Sequence, residues 1–277
     1  MAKTLNRLID KTSNRQNMNE KLIDIYPCYV EPFHVDFSGR IFMGVLGNHL
    51  LNAAGKHSQS RGWGIGALNE TQHTWVLSRL SIELQDTPRQ YEQFQVKTYV
   101  ESVMRLFTNR NFAILRPDGT AYGYARSVWA MIDMNTRRPC DLFTLYDGDI
   151  LRYVVPEEEN DCPIAGHGRF RFNEPQLVRT IDTYYSDVDI NGHINSIKYI
   201  EHILDLFPKD RFENGIRRFE IAYKTESYFG DRLAFYLQEE QQNEYAVEVR
   251  REGDNGVVCQ ARVCFQVASS DVENGAD

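Results

Sequence analysis

The stretch Tyr185-Ser-Asp-Val-Asp-Ile-Asn-Gly-His-Ile-Asn-Ser-Ile-Lys-Tyr199 begins as a turn and continues as an amphipathic helix. Its first part is rich in Asp, Asn, Ser and Gly, the residue types that favour turns and helix caps. Apolar residues then recur every three or four positions until Pro208, which indicates a helix with one face against a core. We predict a helix over residues 191–207, capped by Asp189 or Asn191.

Alternating apolar residues on either side of this helix predict strands. A β-rich run over residues 177–185 precedes it. The residues that share a face in the strands after it are Phe219, Ile221 and Tyr223, then Leu233, Phe235 and Leu237, then Tyr245, Val247 and Val249, and last the odd-numbered residues from Val257 to Val267. The C-terminal half therefore predicts a strand, a long helix and an antiparallel meander.

The N-terminal half repeats this order. A strand is predicted over residues 29–35 and a helix over residues 41–54, in which Gly44 and Gly47 would allow close packing. Four alternating segments follow and predict another meander. The two halves of the chain therefore have the same sequence of elements.

The two turn-and-helix stretches also align residue by residue. Residues 36–55 laid on residues 189–208 without gaps give five identities, and Asp36 falls on Asp189. Five identities at the same point of the same element order indicate an internal duplication.

The predicted fold class is α+β, with two antiparallel sheets that each carry one long helix on a face. The modules would join either edge to edge or helix side to helix side. The predicted divisions are a mobile tail (residues 1–24), an N-terminal module (25–150), a linker rich in Pro, Gly and Glu (151–175), a C-terminal module (176–268) and a second tail (269–277).

The composition and charge of the chain limit the partners and compartments that we expect. The net charge is −8, from 31 Lys and Arg against 39 Asp and Glu, so nucleic acid is not expected as the main partner. No apolar run reaches the roughly 18 residues of a membrane span, and the N-terminus lacks the apolar core of a secretory signal. Five widely spaced cysteines without a C-x-x-C pair predict a reduced, cytoplasmic protein.

An acidic protein partner would need a local basic patch, because the average field of the chain repels it. The candidates are Arg137 and Arg138, Lys198, Arg211, and Arg217 and Arg218. Taken singly, each of these is better explained as a solvated surface charge.

Asp189, Asn191 and His193 lie at two-residue spacing where a strand meets a helix. Backbone donors near Gly192 and His193 could stabilise an oxyanion there, and histidine can exchange a proton at neutral pH. Capping alone would explain the Asp and the Asn. The first copy, however, keeps the Asp and has Arg40 in place of His193. This difference favours one active site and one copy that has lost its activity.

Glu226 follows a predicted strand and is either a general base or an exposed strand-end carboxylate. The chain has no metal-ligand spacing, no G-x-S-x-G motif and no phosphate-binding glycine loop, so no metal, cofactor or covalent serine mechanism is expected.

These residues resemble those of the acyl-acyl-carrier-protein thioesterases of plant plastids and bacteria. The family pattern D-x-N-x-H-x-N-N-x-x-Y is matched by Asp189, Asn191, His193, Asn195 and Tyr199, with Ser196 in place of the second Asn. The family pattern Y-x-x-E-C is similar to Tyr223–Ser227, which places Glu226 on the catalytic Glu and Ser227 on the Cys of plant members. The resemblance covers about residues 27–268, and the lack of a long transit region suggests a bacterial member.

The resemblance implies a tandem (double) hot-dog fold and hydrolysis of fatty acyl-carrier-protein thioesters to free fatty acid and holo-carrier protein. Glu226 and His193 would activate water, Asp189 would hold the site, and Asn191 would polarise the carbonyl. Gly192 and Asn195 would contact substrate, and Ser227 in place of Cys favours direct attack by water. The first module would carry a degenerate site and shape an apolar tunnel for the acyl chain.

Other functions remain open from the sequence. They are an acyl-coenzyme A thioesterase of the same fold, a non-catalytic acyl-ligand-binding protein and a β-hydroxyacyl dehydratase. A monomer and a homodimer are both compatible with two fused modules.

Overall fold

The computed structural model describes residues 21–267, and all ten strands in this part of the chain join in a single antiparallel sheet. The strands are β1 (Asp24–Tyr29), β2 (His73–Leu84), β3 (Gln93–Val103), β4 (Thr108–Leu115), β5 (Ala121–Asp133), β6 (Gln176–Asp182), β7 (Ile216–Tyr223), β8 (Arg232–Gln241), β9 (Glu244–Arg251) and β10 (Gly256–Phe265). Their order across the sheet is β1-β3-β4-β5-β2-β7-β10-β9-β8-β6.

Three α-helices accompany the sheet: α1 (Met43–Gln59), α2 (Ile65–Glu70) and α3 (Ser196–Leu204). Short 3-10 turns lie at Pro32–His34, Leu145–Tyr153, Glu157–Glu159, Tyr185–Asp187 and Lys209–Phe212. The apolar faces of α1 and α3 pack into one continuous core with the sheet. No helix within residues 21–267 is long and apolar enough to cross a bilayer.

The strand order is the same in both halves of the sheet. Counted from its own first strand, each half runs first, third, fourth, fifth, second, so that β2 and β7 meet at the centre. In that pairing Leu80 lies opposite Ile221, and Ile82 lies opposite Phe219. The α+β class and the internal repeat predicted from the sequence are therefore present, and the two predicted sheets are the halves of one sheet joined edge to edge.

Several predicted boundaries were wrong. Helix α3 begins at Ser196 and not at residue 191, because Asn195 is the cap and its side chain accepts the Ile197 amide. The first strand is Asp24–Tyr29 and not residues 29–35, because Pro32–His34 forms a 3-10 turn.

The predicted tails need one further correction. Residues 1–20 and the predicted tail 269–277 lie outside the described residues. Asp24, the last residue of the predicted N-terminal tail, already belongs to β1. The short helix α2 was not predicted.

The segment predicted as a linker, residues 151–175, lies along the sheet. The Val155 amide donates to the Val100 carbonyl (3.0 Å), and His167 Nδ1 lies 2.7 Å from Ser81 Oγ. Because side chains alternate along β2, Ser81 lies on the face opposite the core. The linker therefore covers the polar face of the sheet.

Helices α1 and α3 approach closely at the two glycines singled out in the sequence. A Cβ on Gly47 would lie 2.8 Å from Ile197 Cδ1, and a Cβ on Gly44 would lie 2.9 Å from Glu201 Cγ. These distances leave no room for a larger side chain unless the helices separate. The close-packing role predicted for the glycines is therefore visible in the structure.

We predict that Gly47→Leu lowers the free energy of unfolding by about 1–3 kcal/mol, because the new side chain overpacks the contact with Ile197. Gly55 is the matched control, since it lies in the same helix and a Cβ there meets nothing within 4 Å. Gly55→Leu should leave stability unchanged or raise it by up to about 1 kcal/mol through helix propensity. Urea denaturation measures both, and equal losses at the two positions would contradict the packing argument.

Candidate active site

The turn before α3 is held by the carboxylate of Asp189. Its Oδ1 accepts the amides of Asn191 (2.8 Å) and His193 (3.3 Å), and the Asp189 amide donates to the His193 carbonyl (2.8 Å). The Gly192 amide donates to the Asp189 carbonyl (3.0 Å), and Gly192 has φ +79°, a conformation that favours glycine. Asp189 therefore fixes the backbone from which Asn191 and His193 project.

The first module contains the same turn. Asp36 Oδ1 accepts the amides of Ser38 (2.7 Å) and Arg40 (3.3 Å), and the Asp36 amide donates to the Arg40 carbonyl (2.8 Å). Gly39 has φ +75° and donates to the Asp36 carbonyl (3.0 Å). These distances nearly repeat those around Asp189, so the duplication extends to individual hydrogen bonds.

His193 and Glu226 meet at this turn. His193 pairs with Tyr228 in an isolated bridge, and the Ile194 amide donates to the Ser227 carbonyl (2.9 Å). These contacts bring the segment after β7 against the turn. As a result, His193 Nδ1 lies 3.4 Å from Glu226 Oε1, and both side chains are partly exposed.

Two further side chains reach the Glu226 carboxylate. Arg137 forms an ion pair with Oε1, and the Tyr228 hydroxyl lies 3.4 Å from Oε2. Arg137 belongs to the turn after β5, so the first module contributes a residue to the site of the second. In the sequence Arg137 was only a candidate basic surface residue, and no local pattern links it to a glutamate 89 positions away.

The first module has neither an imidazole nor a carboxylate at the corresponding positions. There the Ile41 amide donates to the Pro88 carbonyl (3.0 Å), which matches the bond from Ile194 to Ser227. Thr87 therefore occupies the place of Glu226, while Arg40 occupies that of His193. The Arg40 guanidinium donates instead to the Glu213 carbonyl (2.9 Å).

Ser227 is fully buried and its hydroxyl is hydrogen-bonded to that of Tyr199. Burial raises the pKa of Tyr199 well above its usual value, so the phenol stays protonated. The Tyr223 hydroxyl donates to the Ser196 carbonyl (2.8 Å). Ser227 is thus a buried packing residue that does not line the cavity described below.

The main-chain donors predicted at Gly192 and His193 are already bonded to Asp189. Gly192 does not line the cavity described below, and its hydrogen bond to Asp189 gives it a role in the turn. Asn195 does line the cavity, but its Oδ1 caps α3 by accepting the Ile197 amide (2.9 Å).

A second imidazole–carboxylate pair lies beneath the turn. His202 Nε2 is 3.0 Å from Asp187 Oδ1, and the Tyr184 amide donates to the other oxygen of this buried carboxylate (2.8 Å). These bonds tie α3 to the turn. Both residues lie outside the cavity wall.

A cavity of about 1260 Å³ runs between the two modules. Asp189, Asn191, His193, Asn195 and Glu226 form part of its wall. The first module supplies apolar walls that include Trp63, Trp75, Leu77 and Trp129. A mainly apolar cavity with a few polar groups at one place is the usual form of a small-molecule site. Within residues 21–267 no cluster of His, Cys, Asp and Glu could hold a metal ion.

Both modules match known family models. Residues 27–145 match the "Acyl-ACP thioesterase N-terminal domain", and residues 173–267 match the "Acyl-ACP thioesterase C-terminal domain". The chain is 24% identical over 249 residues to the chloroplastic oleoyl-acyl carrier protein thioesterase of Coriandrum sativum, covering 81% of this chain and 63% of that protein. An oleoyl-acyl carrier protein thioesterase of Arabidopsis thaliana is 23% identical over 242 residues, which cover 82% of this chain and 65% of that protein. The chain thus spans less than two thirds of the length of these relatives.

Solved structures share the fold. An acyl-ACP thioesterase from Bacteroides thetaiotaomicron is 55% identical, superposes with a TM-score of 0.83, and the match covers 88% of this chain and 98% of that one. The 12:0-ACP thioesterase from Umbellularia californica has a TM-score of 0.77 at 18% identity, covering 90% and 99% of the two chains. These superpositions confirm the tandem hot-dog fold, and together with the two domain matches they show that the chain belongs to the acyl-ACP thioesterase family.

Proposed function

We propose that the protein hydrolyses fatty acyl thioesters carried by acyl carrier protein, through direct attack of water. The observation that carries the proposal is the meeting of His193 Nδ1 and Glu226 Oε1, 3.4 Å apart, on the wall of the cavity between the modules. The products would be free fatty acid and the thiol of the holo-carrier, a reaction that ends fatty-acid synthesis. The five cysteines are free, which supports the cytoplasm as its compartment.

In this mechanism the water oxygen attacks the carbonyl carbon and its proton passes to the Glu226–His193 pair. The tetrahedral intermediate then collapses, the C–S bond breaks, and the leaving sulfur takes up a proton. With Nδ1 directed at Glu226, the imidazole keeps Nε2 for the water or the sulfur. The two groups act as one unit in this proposal because Nδ1 and Oε1 lie only 3.4 Å apart.

Asn191 is the proposed donor to the carbonyl oxygen. Within residues 21–267 no hydrogen bond engages its side chain, and it lines the cavity beside His193. The start of α3 offers another donor, the amide of Ser196. The next two amides, those of Ile197 and Lys198, already donate to Asn195. Donors placed where charge develops stabilise the transition state more than the substrate.

The basic residues considered for carrier docking differ in whether another residue already pairs with them. Arg218 is only slightly exposed, pairs with Glu83 and Glu220, and is unsuitable for docking. Four other candidates also have partners: Arg137 with Glu226, Lys198 with Glu201 (2.7 Å), Arg211 with Asn243 (3.0 Å) and Arg217 with Glu244 (2.7 Å). Exposed Arg138, next to Arg137 at the site, is the best-placed candidate to meet an acidic carrier.

We predict that Glu226→Gln and His193→Ala each lower kcat by about 10²–10⁴, the usual contribution of general acid–base catalysis. Arg40→Ala is the matched control, because Arg40 occupies the place of His193 in the first module. It should leave kcat within about threefold. Full turnover in His193→Ala, with the fold checked by circular dichroism, would remove the imidazole from the mechanism.

Ser227→Ala should retain turnover within about tenfold of the wild type, because its hydroxyl is buried against Tyr199 and does not attack the thioester. Stability should fall by about 1–3 kcal/mol, since the Tyr199 hydroxyl loses its partner. Steady-state kinetics and thermal unfolding separate the two effects. A loss of turnover as large as that of Glu226→Gln would instead indicate a covalent intermediate.

The carrier is tested by presenting one acyl chain on acyl carrier protein and on coenzyme A and measuring thiol release. We expect kcat/KM to be higher on the carrier protein by at least about tenfold, because docking adds binding energy that coenzyme A lacks. Higher kcat/KM on coenzyme A would contradict this choice of carrier. Absence of thiol release from both would reject hydrolysis, as expected of a dehydratase or a ligand-binding protein.

A further inference from the structure

A buried arginine forms part of the cavity wall at a distance from the proposed catalytic pair. Arg110 lies two residues before Phe112 and four before Ile114 on β4, and both of those residues belong to the core beneath the helices. Its side chain therefore points to the same face. Arg110 is 6% exposed, lines the cavity, and is the most deeply buried arginine in residues 21–267.

The sheet register shows how far Arg110 lies from the turn that carries Arg137. Arg110 pairs with Ser127 of β5, and β5 continues to Asp133, where that turn begins. Strands advance about 3.3 Å per residue, so the two positions are separated by roughly 20 Å along β5. Arg110 thus lines the part of the cavity that is distant from Glu226, which we call its inner end.

Other residues of the protein accept only some of the hydrogen bonds that the Arg110 guanidinium can donate. In residues 21–267 it makes two hydrogen bonds, both at 3.3 Å and both to neutral hydroxyls, those of Thr98 and Ser58. A guanidinium carries five N–H donors. No ion pair in this part of the chain includes Arg110, and the neighbouring carboxylate of Asp24 is held by Arg61 at 2.8 Å.

The local charge balance is positive. Burial and the nearby Arg61 lower the pKa of Arg110 to about 10, so it remains charged at neutral pH. Burial and the charge of Arg110 lower the pKa of His57 to about 3, so this histidine is neutral. The nearby carboxylate of Asp24 is shared by Arg61 and Lys21 and forms no ion pair with Arg110 in residues 21–267.

Arginines on the opposite face of the sheet differ from Arg110 in their partners. Arg126 pairs with Glu101 at 2.9 Å, and Arg262 pairs with Glu240 at 2.5 Å. A buried charge is normally paired, because leaving it unpaired is strongly unfavourable. The missing partner of Arg110 is explained if a bound ligand supplies it.

We propose that the inner end of the cavity binds an oxygen function on the acyl chain, so that preferred substrates are acyl thioesters with a hydroxyl or carboxylate far from the thioester carbon. Arg110 donates to that oxygen, and the Ser58 hydroxyl lies beside it. The inference rests on the proposed function, since it specifies the acyl chain within the same cavity. An unsubstituted chain would leave the guanidinium without an acceptor.

The test compares matched carrier-protein thioesters of increasing length with a methyl, hydroxyl or carboxyl terminus. At one or more lengths the wild type should show roughly 10- to 100-fold higher kcat/KM for an oxygenated chain, the range expected of a charge-assisted hydrogen bond. Arg110→Met should abolish that preference while methyl-terminated chains keep or gain activity. Arg110→Lys, which keeps the charge but loses the fork, should retain part of it.

Arg126→Met is the matched control, because it removes a partly buried arginine from the other face of the sheet and should leave the preference intact. Binding of the corresponding free acids, followed by thermal shift, gives a readout that does not depend on turnover. This binding measurement keeps the inference testable even if the protein hydrolyses none of the thioesters. The comparison of substrates on the wild-type protein does not depend on the folding of any variant.

Equal kcat/KM and equal binding of methyl-terminated and oxygenated chains at every length would overturn the inference while leaving the proposed hydrolysis intact. The same conclusion follows if Arg110→Met only shifts the preferred chain length, since Arg110 would then be the floor of the cavity. Hydrolysis of no thioester, together with tighter binding of oxygenated free acids, would reject the proposed function and support this subsite.

Discussion

The antiparallel pairing of β2 with β7 is the interaction on which the site depends. It joins two sheet edges that would otherwise expose unpaired backbone groups, and its register places Leu80 opposite Ile221. Because the modules meet edge to edge, α1 lies against α3 and the turn after β5 reaches the end of β7. Arg137 of the first module can therefore contact Glu226 of the second. Neither module by itself contains both walls of the cavity.

The duplicated turn separates what the fold requires from what the chemistry requires. Asp36 and Asp189 hold nearly identical backbone geometry, so the carboxylate and the following glycine are needed to form the turn. His193 is not needed for that purpose, since the first module forms the same turn with Arg40. The pairing of His193 with Glu226 consequently calls for a functional explanation. This comparison within one chain is stronger than the capping argument, which applies equally to both copies.

The sequence predicted features that depend on neighbouring residues and missed those that depend on distant ones. Alternating strands, the close-packed Gly47 and the turn at Asp189 follow from local pattern. The start of α3 was misplaced because Asp189, Asn191 and Asn195 can all cap a helix, and only tertiary contacts select Asn195. The choice of edge-to-edge joining and the approach of Arg137 leave no local signature, because both arise from contacts between the modules.

Polar side chains mark two separate parts of the cavity wall, one at Arg110 and one at Glu226. Phe112 and Ile114 show that the inner face of β4 can be filled with apolar side chains, so the fold has no need of a buried cation at Arg110. Burying an unpaired ion costs several kcal/mol, and departures of this kind from local packing rules are expected at functional positions. At the other place, Glu226 contacts His193 and forms an ion pair with Arg137. Between them lie mainly apolar walls such as Trp129 and Leu77. A cavity that is polar at both ends and apolar between them is complementary to a chain with the same distribution of polarity, which is why the charge of Arg110 bears on the substrate and not only on the fold.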